Sequence, residues 1–277
     1  MTERTTTERT AVVTGASSGI GKAIALALAD LGWAVGIGAR RADRLAETAA
    51  EVERRGARVF AAPLDVRSPE SVEEFLQGCE DALGPIDVLV NNAGITHLGW
   101  IVDTTSDEIR NVLDTNLAGA FYVTRWVVQR LLDRKSPGDV IFISSSAAGQ
   151  PWPEQVLYGV AKSGLDALAR GMQIELEGTG IRTTIVRVGA VESEIGAQLD
   201  PVVAQRAVEH WRATGALRNF AFVPVEQAAG VVAGVAAAPP EMWVREVHVE
   251  AVPPAEALTQ EEMDLGTGRG TTGTDPD

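Results

Sequence analysis

The chain has 277 residues, 45% hydrophobic and 22% charged, a composition that fits a soluble globular protein with a sizeable core and argues against extensive disorder. Its formal net charge of -14 argues against a nucleic-acid partner, which would need clustered Lys and Arg to displace counterions. Cys79 is the only cysteine, so an internal disulfide and a cysteine zinc site are both excluded, and it reads as a half-buried helix residue.

The N-terminal MTERTTTERT is polar and has no apolar stretch of signal-peptide length. No later run approaches the roughly 20 apolar residues of a membrane span, so a cytoplasmic protein without membrane contact is expected. Residues 1–9 read as a flexible N-terminus and residues 10–254 as one domain. From Thr10, short apolar β-branched runs alternate with longer segments of helical period, the pattern of βαβ units feeding a parallel sheet. The expected strands are AVVTG from Ala11, AVGIGA from Ala34, RVFAAP from Arg58, IDVLVN from Ile86, DVIFIS from Asp139, IRTTIVRV from Ile181 and WVREVHVE from Trp243. Between them, segments such as AIALALADLG from Ala23 and SGLDALARGMQIELEG from Ser163 carry apolar residues at spacings of three and four. The expected fold is therefore a doubly wound parallel α/β sheet of about seven strands with helices on both faces. Residues 192–225, with Gly, Pro and the helix-like PVVAQRAVEHWRATG, interrupt the alternation and read as a lid. Residues 255–277 form an acidic tail in which Glu256, Glu261, Glu262, Asp264, Asp275 and Asp277 face only Arg269, and no structure is assigned there.

Directly after the first strand, TGASSGIG places Gly15, Gly19 and Gly21 at the opening of a helix that begins near Ile20. Glycines let the backbone turn tightly and approach a pyrophosphate, which free N–H groups and the helix dipole stabilise. Gly15, Ser17, Ser18, Gly19, Ile20 and Gly21 are thus the candidate phosphate cradle. This spacing, together with NNAG at Asn91–Gly94 after the fourth strand, resembles the short-chain dehydrogenase/reductase superfamily, which implies a single Rossmann-type domain.

In such folds the second strand ends near the adenosine ribose, where an acidic residue holds the ribose hydroxyls of NAD. Here that end reads GARRADR, with Ala39 where NAD-dependent relatives carry Asp, followed by Arg40 and Arg41, which can pair with a 2′-phosphate. NADPH or NADP+ is expected, and NADH is the less favoured alternative. Ser18 is not basic, so one of the family's usual phosphate-binding positions is unused. The resemblance further implies that Asp65 and Val66 flank the adenine and that Asn91, Asn92, Ala93 and Gly94 line the groove. Asp65 could otherwise cap a turn before Ser68.

Tyr158 and Lys162 are four residues apart in a segment of helical period, so their side chains leave one face together. A phenol with a pKa near 10 needs adjacent positive charge to work at neutral pH. Ser145 lies at the end of the strand DVIFIS, where it can project over the carboxyl edge of the sheet. ISSSAAG followed by YGVAK is similar to the superfamily's catalytic signature. Spacing to Tyr158 selects Ser145 among three adjacent serines, whereas counting back from Gly149 would select Ser146. Asn116 in DTNLAG matches the fourth member of the family's tetrad. The resemblance makes Tyr158 the general acid, Ser145 the donor that polarises the carbonyl, Lys162 the group that lowers the tyrosine pKa and binds the nicotinamide ribose, and Asn116 the holder of a relay water. After the sixth strand, where the family reads Pro-Gly and then holds the nicotinamide carboxamide, this chain has Val188, Gly189, Val191 and Ser193; the missing proline should loosen the turn.

His97, His210 and His248 are dispersed, without a close acidic partner or metal-ligand spacing, and no metal is expected. His97 follows NNAGIT, where the family's substrate pocket begins, and with Trp100, Ala147, Trp152, Ser145 and Tyr158 it is expected to shape a largely apolar pocket. Trp211 and Phe220 to Phe222 either face substrate or pack. A neutral ketone or aldehyde is favoured over a small anionic acid; Arg206 or Arg212 would have to fold over an anion. The expected activity is NADPH-dependent interconversion of a small carbonyl compound and its alcohol. Alternatives are a hydroxy-acid dehydrogenase, a non-catalytic dinucleotide sensor, which the intact tetrad argues against, and a lyase or epimerase, whose glycine spacing and larger C-terminal domain are not seen. Relatives form tetramers through the long helices after strands four and five, here from about Ser106 and Glu154, so a homotetramer or homodimer is expected.

Overall fold

A computed structural model describes residues 9–191, 200–217 and 221–253. The acidic tail, Ser193 and Phe220 lie outside the described residues, as do residues 1–8. Seven parallel strands, β1 (Thr10–Thr14), β2 (Ala34–Ala39), β3 (Val59–Pro63), β4 (Val88–Asn91), β5 (Gly138–Ser145), β6 (Ile181–Val188) and β7 (Glu246–Val249), stand in the order β3-β2-β1-β4-β5-β6-β7. Every residue of β1 is buried, because both faces are covered. Ala11 and Val13 pack with Ile24, Leu45 and Val232 from α1 (Gly19–Asp30), α2 (Ala42–Arg54) and α8 (Val225–Ala236). Val12 points the other way, to Leu76, Val127 and Leu165 of α3 (Pro69–Leu83), α5 (Gly119–Arg134) and α6 (Val156–Glu175). The strand order reverses between β1 and β4, which opens a crevice at the carboxyl ends of the strands.

Two glycines in β2 let α3 lie close to the sheet. A Cβ at Gly36 would fall 2.4 Å from Cys79 Sγ, and one at Gly38 would fall 2.9 Å from Phe75 Cζ. Cys79 is therefore fully buried rather than half-buried, and burial pushes its thiol up to about 12. Ser68 caps α3 by accepting from the Ser71 N–H, with Pro69 in the first turn. Thr105 and Glu108 form a capping box on α4 (Ser106–Leu113). The segment read as a helix within the lid is α7 (Pro201–Ala213), capped by Asp200. Among the described residues, no helix is long and apolar enough to cross a membrane.

Most strand ends shift by one to three residues from the sequence reading, and three departures have a local reason. α6 starts at Val156, not Glu154, because Glu154 has φ 62, in the left-handed region, and cannot be a helical residue. β7 starts at Glu246, not Trp243, since the preceding backbone is held by side chains: Thr184 Oγ1 donates to the Val244 carbonyl at 2.6 Å, and Trp243 Nε1 donates to the Thr183 carbonyl at 3.0 Å. Asn116 lies not in a regular α-helix but in a π-helical turn, Asp114–Ala118, between α4 and α5.

Candidate active site

The crevice at the switch point is a cleft of about 350 Å³ lined by the glycine loop, the ends of β2 and β4 and the Leu64–Val66 turn. The close approach of β1 and β4 depends on Thr14. Its Oγ1 accepts from the N–H groups of Asn92 and Ala93, each at 3.0 Å, and Asn92 Nδ2 donates to the Thr14 carbonyl at 2.9 Å. Gly15 has φ 70, and a Cβ there would fall 2.8 Å from Ala93 Cα; at Gly21 it would fall 2.3 Å from Asn92 Nδ2. The loop therefore leaves bare backbone, and the first turn of α1 presents N–H groups that no intrahelical acceptor uses.

Arg40 and Arg41 both line this cleft. Arg40 is exposed, while Arg41 Nη2 donates to Ser18 Oγ at 2.6 Å and to Ser17 Oγ at 3.1 Å. The positive charge that Ser18 itself lacks is thus brought to the glycine loop by Arg41. Asp65 and Val66 also line the cleft. The Asp65 carboxylate accepts from the Arg67 backbone N–H at 3.1 Å and from its guanidinium at 2.6 Å, which holds the carboxyl below its usual range. Arg67, not singled out in the sequence, also donates to Asn111 Oδ1 at 3.0 Å. Thr115 lines the same cleft, and its buried hydroxyl has no partner within the protein.

At the carboxyl end of β5, the predicted tetrad converges. Ser145 Oγ accepts from the Ala147 N–H at 3.2 Å, and Ser145 is the serine that hydrogen-bonds Tyr158. Burial raises the Tyr158 pKa, and the Ser145 bond partly opposes the rise. Lys162 is buried and donates to the Ile143 carbonyl at 2.8 Å, with its Nζ 5.8 Å from the Tyr158 ring centre. Desolvation pulls Lys162 down to about 8, against the opposing charge of Asp166 one turn along α6. Asn116 turns its whole amide to the backbone of Ile95: Oδ1 accepts from the N–H at 2.7 Å and Nδ2 donates to the carbonyl at 2.8 Å. Its side chain is thereby committed to holding the loop after β4 beside Lys162. A Cβ at Gly94 would sit 3.0 Å from Asn116 Oδ1 and 3.6 Å from Lys162 Nζ, so NNAG, DTNLAG and YGVAK meet at one point.

The turn after β6 is not loose up to Val191. Val188 continues the strand in register with Ser145 and Val249, the Gly189 N–H donates to the Val249 carbonyl at 2.9 Å, and Val191 pairs with Val223. Without proline, the N–H groups here join the sheet.

The histidines also differ from the sequence reading, since each gains an acidic neighbour from elsewhere in the fold or along its strand. His97 Nε2 lies 3.8 Å from Glu108, His210 Nδ1 lies 3.4 Å from Glu154, and His248 Nε2 lies 2.7 Å from Glu246. His97 is buried, and its Nδ1 has no partner within the protein; the Trp152 indole N–H is likewise buried and unpartnered. Ala147 is buried beside Ser145, and Trp152 meets Trp211 edge-on at 5.2 Å. Glu154, which no sequence motif marked, is a buried carboxylate on a backbone in the left-handed region, a conformation that costs a non-glycine residue roughly 1–3 kcal/mol. It accepts from Arg206 Nε at 3.0 Å and Nη2 at 2.9 Å, so Arg206 is bound to the protein and not extended over a substrate.

Strand order and the glycine-lined cleft at the switch point together define a Rossmann-like dinucleotide fold. The short chain dehydrogenase family model matches residues 9–203, and the chain belongs to that family. It is 37% identical over 196 residues to a short chain dehydrogenase of Pseudocercospora fijiensis, covering 70% of this chain and 63%, less than two thirds, of that one. It is 36% identical over 200 residues to the ketoacyl reductase HetN of Nostoc sp., covering 72% of this chain and 69% of the relative. Among solved structures, an alcohol dehydrogenase of the archaeon Thermococcus sibiricus complexed with 5-hydroxy-NADP aligns with TM-score 0.77 at 29% identity, over 89% of this chain and 98% of that one.

Proposed function

We propose that the chain is an NADPH-preferring oxidoreductase that interconverts a small ketone or aldehyde and its alcohol. The observation that carries this reading is the meeting of Ser145, Tyr158, Lys162 and Asn116 beside a glycine-lined cleft with two arginines at its far end. The cleft fits a dinucleotide because Gly15 and Gly21 leave no room for side chains and Thr115 offers an unpartnered buried hydroxyl. The loop Gly15–Gly21 would hold the pyrophosphate, Arg40 and Arg41 the 2′-phosphate, and Asp65 and Val66 the adenine, with Asn92, Ala93, Gly94, Gly189 and Val191 along the nicotinamide half. NADPH, when bound, supplies the hydride.

Tyr158 retains its proton at neutral pH because burial raises its pKa, which suits a general acid that protonates the carbonyl oxygen. Ser145 donates to that oxygen and holds it near Tyr158. Lys162, cationic below about pH 8, stabilises the phenolate left behind. Asn116 acts through Ile95 by fixing the loop that closes the site. His97, Ala147 and Trp152 would wall the substrate pocket. Support for NADP comes from solved relatives: a metagenomic short-chain oxidoreductase was determined with NADP and an actinorhodin polyketide ketoreductase variant with NADPH, at TM-scores of 0.74 and 0.77. We also infer assembly as a homotetramer or homodimer through α4, α5 and α6, which light scattering tests; a monomer at micromolar concentration would refute it. The activity is tested by following NADPH consumption against a panel of ketones, aldehydes and 3-oxo acids. Consumption with a carbonyl substrate is expected, and NADPH binding without turnover across the panel would point to a dinucleotide sensor.

A further inference from the structure

The segment that leads into the helix bearing Tyr158 carries a charge cluster with no part in the chemistry proposed above. Glu154 lies one turn before Tyr158, with its side chain only 2% exposed. Two groups from α7 converge on it. Arg206 gives both Nε and Nη2 to Oε2, and His210 Nδ1 lies 3.4 Å from Oε1. The Glu154 backbone carbonyl accepts from the Gly99 N–H at 2.8 Å, and His210 stacks on Trp100 at 5.9 Å, so the loop after β4 joins the same node. Trp211 Nε1 donates to the Pro153 carbonyl at 2.6 Å and fixes α7 along the Trp152–Glu154 segment. On the other side of the loop, His97 faces Glu108. Arg206 is thus paired with an internal carboxylate, and His210 and His97 each have a carboxylate as a neighbour. The buried indole N–H of Trp152 has no partner, and it is a neutral donor that suits a neutral oxygen.

We propose that Glu154 sets the charge preference of the enzyme: by engaging Arg206 it neutralises the substrate mouth, so that neutral carbonyl compounds are accepted and carboxylates are disfavoured. The inference rests on the reductase reading above and adds the charge class of its substrate. A carboxylate entering a partly buried mouth loses water and must find a cation in exchange. Arg206, the arginine that α7 holds against this segment, is already engaged by Glu154. Glu154 is a positioning residue here, acting through the Arg206 guanidinium it holds.

The test compares 3-oxohexanoate with its methyl ester, both as NADPH-dependent substrates and as ligands that change tryptophan fluorescence, Trp152 and Trp211 being at the mouth. In wild type the ester is preferred. Glu154→Gln keeps an oxygen for Arg206 and removes the charge, so the acid-to-ester ratio of kcat/KM, and of binding, is expected to rise about tenfold, the scale of one screened charge interaction. Arg206→Gln leaves Glu154 less neutralised, so the ratio should fall. The double variant Glu154→Gln, Arg206→Gln should return toward wild type. An unchanged ratio in Glu154→Gln that melts like wild type would overturn the proposal. If Glu154→Gln does not fold, an unchanged ratio in Arg206→Gln overturns it instead. Turnover of the ester with unchanged ratios sinks the charge assignment and leaves the reductase reading standing; shifted binding ratios without turnover of either compound do the reverse.

Discussion

The cleft proposed for the cofactor and the mouth proposed for the substrate are built by different means. The cleft is made from short, contiguous pieces: the loop after β1, the Arg pair after β2 and NNAG after β4, held by backbone contacts and by Thr14. The mouth is made from side chains far apart in the chain, with Arg206 and His210 reaching Glu154 across 52 and 56 positions. Bare backbone at a helix N-terminus recognises phosphate in any chain that can place it there, so the cleft tolerates little change. Side-chain pairs can be exchanged without disturbing the sheet, so the mouth is where substrate preference can drift.

That contrast can be broken at its centre by Tyr158→Phe. Turnover should fall by at least the roughly 10²–10⁴-fold that acid–base groups contribute, with NADPH binding retained in a fluorescence titration. Loss of cofactor binding instead would mean that the two regions are not separable at this residue. Gly21→Ala attacks the cleft alone. Its Cβ would fall 2.5 Å from the Gly15 carbonyl oxygen as well as on Asn92, so NADPH affinity should drop tenfold or more while the melting curve stays cooperative. Wild-type affinity in that variant would show that the loop relaxes and is not a fixed cradle.

Removing both Arg40 and Arg41 by alanine should cost NADPH about tenfold or more in affinity per lost charge-assisted contact and leave NADH little changed. An unaltered ratio of the two specificity constants would count against phosphate recognition at this end. The mildest effect is expected from pH. Lys162 titrates at about 8, lowered by burial, so its cation is present below that pH and lost above it. The kcat/KM for carbonyl reduction should therefore be level on the acid side and decline as pH rises through about 8. A profile that stays level well above that point would mean that the Lys162 charge is not required.

Much of this architecture was legible in the sequence, because the features that specify it are local. Short apolar β-branched runs between segments of period 3.6 announced the alternation of strands and helices, and the seven expected strands all appear, β2 and β6 with the expected ends. The glycines at 15, 19 and 21, and the spacing of Tyr158 to Lys162, depend on one loop and one helix, so chain order alone carries them. Spacing to Tyr158 likewise selects Ser145 over Ser146, and the strand end brings Ser145 against Tyr158. Other features required the assembled fold. The partner of Asn116 is one of them: the π turn aims its amide at Ile95, 21 positions away. The left-handed backbone at Glu154 displaced the expected start of α6, and no propensity rule anticipates a glutamate in that conformation. The acidic partners of His97 and His210, the binding of Arg206 to Glu154 and the delivery of Arg41 to Ser17 and Ser18 are pairings between distant or loop-borne side chains. The sequence by itself determined the strands, the helices and the glycine loop, because backbone geometry follows nearest neighbours; which charges meet, and therefore what the mouth admits, was decided only when tertiary packing brought the loops and α7 together.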